Sequence, residues 1–129
     1  KSDYHLSLKL NYPNQSDKLL SDTYKPGGGI YIHGSCVTVG CIPINDQQIE
    51  ELYILAASAK NSGQDFIPVH IFPVRYNKPE SVEYLTRIVK DNPVVQKFED
   101  QLKQAFELFD KDKQLPVITI SKKGEYMIM

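Results

Sequence analysis

Cysteine is scarce in this chain: two residues in 129. That is too few for a disulfide scaffold, and the pair is compatible with a bridge, two thiols, or one reactive thiol and a bystander. A basic excess is also absent. Lys plus Arg number 15 and Asp plus Glu 16, for a formal charge of -1. Such a balance cannot neutralise a run of phosphates, which argues against a dedicated nucleic-acid binder. No apolar run approaches the roughly 18–20 residues that a membrane-spanning helix requires. There is no internal repeat, linker-like stretch or long block of like charge. The hydrophobic content of 41% excludes a disordered or low-complexity chain. The sequence opens at Lys1 without a charged n-region or apolar h-region, so any targeting segment is expected to have been removed or to lie outside it.

What remains is one domain's worth of residues, 1–129, long enough to bury a core without metal or disulfide. Tyr4, Leu6, Leu8 and Leu10 alternate with His5, Ser7 and Lys9, the signature of a half-buried strand. The stretch from Asn11 to Pro26 is polar and turn-rich and reads as a long surface loop. Gly27 to Gly29 lead into a short buried strand, Ile30 to Ile32, that ends at His33.

Asn45 with Gln48 forms a capping-box pair ahead of a helix whose inner stripe is Ile49, Leu52, Tyr53, Ala56 and Ala59. Val69 to Pro73 reads as an interior strand closed by proline. A second helix is expected over Pro79 to Lys90, with Val82, Leu85, Ile88 and Val89 inward. Asn92 and Pro93 start a third, with Val94, Val95, Phe98, Leu102, Ala105, Phe106 and Phe109 as its stripe. Pro116 to Ile120 and Glu125 to Met129 are strands joined by a turn at Lys122 to Gly124. Strands and helices mix without regular alternation, which predicts an α+β fold with about three helices on a mixed, mostly antiparallel sheet.

The stretch carrying chemistry runs from His33 to Cys41. A histidine ends a buried strand, and a thiol follows Gly40 in a segment that must turn. Thiolate is the nucleophilic form of cysteine, and an adjacent imidazole can take its proton. Glycines let backbone N–H groups approach a developing oxyanion. Cysteine is also among the most buried residue types, so a packed thiol is the alternative. A zinc site from His33, Cys36, Cys41 and His70 is a rival, but the spacings do not match the close ligand pairs of structural zinc sites.

These residues resemble a known family. Ile32-His33-Gly34 followed by Thr38-Val39-Gly40-Cys41 is similar to the active-site signature of the L,D-transpeptidase catalytic domain, and more narrowly to its murein L,D-transpeptidase-like envelope subgroup. Tyr4 to Leu8 with Asn11-Tyr12-Pro13-Asn14, Asp46 to Tyr53, and Pro68 to Arg75 resemble three further stretches of that subgroup in order. Residues 4–76 carry the resemblance well and the last third only loosely. The family's strands upstream of Tyr4 are expected to be missing from this chain.

The resemblance implies Cys41 as nucleophile and His33 as base. It implies Val39, Gly40 and Cys41 as backbone donors of an oxyanion hole, with Thr38 supporting the loop. The implied substrate is the peptidoglycan stem peptide, cut between diaminopimelate and D-Ala through a thioester, with neither metal nor organic cofactor. Nucleic-acid and membrane-span roles are not implied. The location implied is the periplasm or envelope of a bacterium, in cell-wall biogenesis and cell shape. The wider family has histidine where Val39 stands and arginine shortly after the cysteine, where Ile42-Pro43-Ile44 stands; the subgroup shares both departures.

Outside the motif, Cys36 is read as a packed thiol or a regulator of Cys41. His70 is a structural histidine, or faces a cleft if Val69 and Ile71 face the core. Arg75 can bind a stem-peptide carboxylate or pair at the surface, and Tyr31 lines the cleft or the core. A silent stem-peptide-binding module, a hydrolytic amidase of the same fold and an unrelated thiol hydrolase are the competing functions.

Overall fold

The computed structural model describes residues 5–22, 24, 27–35 and 40–129. Tyr4 and the Cys36–Val39 stretch, including Thr38, lie outside these. The chain divides into two compact units, Lys1–Val69 and His70–Met129.

The first unit contains a small sheet of β1 (Ser7–Lys9), β2 (Tyr31–His33) and β3 (Ile42–Pro43), in that spatial order. β1 and β2 are antiparallel, with Ser7 opposite His33 and Lys9 opposite Tyr31. β3 runs parallel to β2, placing Ile42 beside Ile32 and Pro43 beside His33. Leu10 N–H to Ile30 O (2.9 Å) and Gly34 N–H to Leu6 O (3.0 Å) extend the first ladder by one bond at each end. The alternation read from the sequence holds except at Ser7: Leu6, Leu8 and Leu10 are half-buried and His5 and Lys9 exposed, but Ser7, opposite His33, is half-buried too.

Helix α2 (Asp46–Asn61) packs on β1 and β2. Its start is the expected one. The Asn45 side chain accepts from Gln48 N–H, and the Gln48 side chain accepts from Asn45 N–H. Two of the helix's orphan donors are thereby satisfied. Ile49 is fully buried (0% exposed). Leu52, Ala56 and Ala59 continue its stripe half-buried, but Tyr53, expected among them, is exposed because it sits at the margin of the stripe.

The expected loop over residues 11–26 is corrected in part. It holds a short helix, α1 (Gln15–Leu20), because Asn14 and Asp17 form a second reciprocal capping box, each accepting at 2.9 Å from the other's backbone N–H.

The second unit has helices α3 (Pro79–Val89) and α4 (Pro93–Asp112) and the antiparallel hairpin β4 (Ile118–Ile120) with β5 (Tyr126–Ile128). Asn92 caps α4 by accepting from Val95 N–H, with Pro93 in the first turn, as its sequence predicts. Phe98 on α4 lies against Tyr126 on β5, ring centroids 6.1 Å apart. Ala105 is buried in the middle of α4. Four stripe assignments are corrected. Ile88 on α3 and Val94, Phe98 and Phe109 on α4 are exposed, so the inward faces are narrower than the apolar pattern.

Val69 to Pro73 pairs in no strand ladder, against expectation. Its period of two survives with the opposite phase: His70, Phe72 and Tyr76 turn inward while Val69 and Ile71 are exposed. The reason is aromatic packing. Phe72 meets Phe106 of α4 edge-to-face at 5.4 Å between centroids, and Tyr76 meets Phe106 at 5.5 Å. Burying those rings outweighs burying the smaller aliphatic side chains beside them. With four helices and small, mostly antiparallel sheets among the described residues, the fold is α+β.

Candidate active site

The candidate site is built where β2 ends and β3 begins. His33, the last residue of β2, is 2% exposed. Its Nδ1 lies 2.5 Å from the carbonyl oxygen of Gly34. A carbonyl only accepts, so Nδ1 carries the proton and donates. In the neutral ring Nε2 then holds the lone pair. This is the tautomer in which Nε2 can take a proton from a thiol.

Gly34 leads into Ser35, whose φ of 70° lies in the left-handed region. A non-glycine residue is disfavoured there by roughly 1–2 kcal/mol. The compensation is a bond from Ser35 N–H to Asp46 Oδ1 at 2.8 Å, which ties the turn to the first residue of α2. Gly40 has φ of 85°, again left-handed, and here glycine is the residue that fits.

Cys41 follows Gly40 and immediately precedes β3. It is half-buried, and its thiol donates to the carbonyl of Gly29 at 3.6 Å. Gly29 lies just ahead of β2, so in this conformation the thiol is turned toward the beginning of that strand and the imidazole stands at its end. The parallel register still fixes the neighbourhood. Cys41 is one residue before Ile42, the partner of Ile32, and two before Pro43, the partner of His33. Alternation puts His33 and Tyr31 on one side of β2, with Pro43 beside His33 in the register. Tyr31 is half-buried on β2.

Of the other sequence candidates, Thr38 and Val39 lie outside the described residues, as does Cys36. His70 and Arg75 belong to the second unit. His70 meets the edge of Phe72 at 6.2 Å, and burial pushes its pKa below the ordinary 6.5. Arg75 is exposed. Among the described residues, no three His, Cys, Asp or Glu side chains are grouped to hold a metal ion. Among the same residues, no helix is long and apolar enough to cross a membrane.

Two contacts of the site had no signal in the sequence beyond residue type. Asp46 reaches Ser35 across a separation of 11 residues. Glu50, one turn further along α2, accepts from His5 Nε2 at 2.6 Å and so ties the chain entering β1 to the same helix.

No known family model matches the sequence. Over 127 residues, 98% of its length, the chain is 27% identical to the Escherichia coli K12 protein named “Putative L,D-transpeptidase YafK”, and equally so to the protein of the same name from Escherichia coli O157:H7. The chain spans about half the length, 48%, of these relatives. The similarity supports a distant L,D-transpeptidase-like relationship.

Proposed function

We propose that this chain carries the catalytic part of a cysteine-dependent L,D-transpeptidase of the murein L,D-transpeptidase-like envelope subgroup, acting on peptidoglycan stem peptides in the bacterial periplasm or envelope. The observation that carries the reading is the hydrogen bond from His33 Nδ1 to Gly34 O, which gives a buried strand-end histidine the tautomer of a general base next to the strand that Cys41 opens.

In the proposed reaction, Cys41 turns from the Gly29 carbonyl toward His33, and Nε2 takes its proton. The thiolate attacks the carbonyl carbon of diaminopimelate in its bond to D-Ala. Backbone N–H groups of Val39, Gly40 and Cys41 hold the oxyanion, and Thr38 supports that loop. The C–N bond breaks, the imidazolium returns the proton to the departing D-Ala amine, and the stem stays on sulfur as a thioester. An acceptor amine, or water, then attacks the thioester carbon, the C–S bond breaks and the thiol is regenerated. Transfer to an amine is the cell-wall-building outcome, and hydrolysis is the same chemistry with water. No metal or organic cofactor enters this scheme. Tyr31 is the proposed wall of the cleft.

The test is incubation with purified muropeptides bearing tetrapeptide stems, read by mass spectrometry. D-Ala loss in the wild-type protein and none in Cys41→Ala supports the reading. Intact stems with both proteins, together with saturable stem-peptide binding, would transfer it to a silent binding module.

A further inference from the structure

We infer that Asp46 is a positioning residue for His33, acting through one peptide group of the turn after β2. The inference rests on the proposed base role of His33.

The argument turns on the peptide group between Gly34 and Ser35. Its C=O accepts from His33 Nδ1 at 2.5 Å, and its N–H donates to Asp46 Oδ1 at 2.8 Å. A trans peptide is planar, and its C=O and N–H point in opposite directions. Fixing the N–H end on the first residue of α2 therefore aims the C=O end at the imidazole. The unit needs such fixing. Gly34 has no Cβ to restrict it, and Ser35 sits at a φ of 70° that its side chain disfavours. Rotation of this peptide by half a turn would carry the carbonyl away from Nδ1 and take away the acceptor that favours a proton there. The carboxylate also polarises the peptide, which makes its carbonyl a better acceptor. Gly34 N–H, bonded to Leu6 O at 3.0 Å, pins the preceding peptide to β1, so only the 34–35 unit depends on Asp46.

Asp46 touches neither thiol nor substrate in this scheme. It selects which ring nitrogen of His33 bears the proton, and the sequence offers it as an ordinary acidic residue in a helix's first turn. A merely structural role would be confined to that helix, so the test must read the imidazole.

The experiment compares wild-type protein with Asp46→Ala, Asp46→Asn and Asn45→Ala. The tautomer of His33 is read by nitrogen-15 NMR of the ring, and the reactivity of Cys41 by iodoacetamide labelling against pH. Asp46→Ala is expected to shift His33 away from the Nδ1–H form. It should slow labelling near neutral pH about three-fold, a part of the roughly ten-fold that losing the base outright would cost. Asp46→Asn keeps an acceptor oxygen and is expected to restore the wild-type tautomer. Asn45→Ala loosens the same helix end without touching the turn, so its tautomer and pH profile should match wild type. If Asp46→Ala fails to fold, Asp46→Pro replaces it, since proline suits the first helical position and carries no acceptor.

A wild-type His33 tautomer in folded Asp46→Ala or Asp46→Pro, which lack the acceptor oxygen, overturns the inference. The failure of the base reading is separate: labelling of Cys41 unchanged in His33→Gln would remove the role of His33, while the tautomer measurement would still decide that of Asp46.

Discussion

His33 donates from Nδ1 to the carbonyl of its own chain neighbour, Gly34, at 2.5 Å, and the bond is shielded from solvent at the end of β2. So local a bond orients the imidazole from within its own turn. It leaves Nε2 as the basic atom of the neutral ring. If that atom activates Cys41, His33→Gln should slow iodoacetamide labelling of Cys41 at neutral pH by on the order of 10-fold, since a free thiol is already a few per cent thiolate there, with little effect at high pH, where the thiol ionises unaided. Labelling rates across pH, read by peptide mass spectrometry, check this. A profile identical to wild type contradicts it.

The histidine of the second unit behaves differently. Burial beside Phe72 lowers the His70 pKa below 6.5, so the folded state binds its proton less readily than the unfolded chain. The stabilising contribution is therefore complete above pH 6.5 and is lost as pH falls through the lowered folded value. His70→Gln is expected to lack this slope in urea midpoints measured between pH 7 and 5. The carboxylates of Asp110 and Glu125, held down by Lys113 and Lys97, act in the same direction only at more acidic pH, below their ordinary 3.8 and 4.5. An unchanged slope in His70→Gln would contradict the assignment.

Ile49 is the fully buried large side chain of α2. Ile49→Ala removes its methylene groups and leaves a cavity between the helix and the sheet of β1 and β2. The expected loss is about 2–5 kcal/mol of stability, read from urea unfolding. Tyr53→Ala, an exposed position on the same helix, should cost well under half of that.

The two capping boxes offer a graded comparison. Asn45→Ala and Asn14→Ala each remove a side-chain acceptor for an orphan N–H. Each should cost about 1 kcal/mol. The Asn14 change should also erase most of α1, since a six-residue helix has little else to start it. Amide hydrogen exchange at Lys18 and Leu19 checks this. Protection that persists there in Asn14→Ala would show that tertiary contacts hold the helix instead.

Where local chemistry decides the structure, the sequence was readable. Asn45 with Gln48, and Asn92 with Pro93, mark helix starts that the structure places at Asp46 and Pro93. The strand at Leu8 and the final hairpin likewise follow from period two and a Lys-Lys-Gly turn. Where two distant segments compete for a contact, it was not. The β-branched residues at Val69 and Ile71 suggest a strand facing inward, but the partner that decides the phase is Phe106, some thirty-five residues away on α4. Helix α1 was hidden because Asn14 and Asp17 sit in a polar stretch with no apolar stripe. At the site, His33 and Cys41 stand out by residue type and by resemblance. The Ser35–Asp46 contact does not, because nothing in the sequence marks a serine that must adopt positive φ.

The central claim is that Cys41 forms a thioester with a peptidoglycan stem. The most direct measurement is the intact mass of the protein after brief exposure to a tetrapeptide-stem muropeptide and acid quench, followed by mapping of the modified peptide. The account predicts a mass gain equal to the stem lacking D-Ala, confined to the peptide bearing Cys41, discharged by hydroxylamine and absent in Cys41→Ala. Processing of the muropeptide with no adduct at any quench time, undiminished in Cys41→Ala, would contradict it.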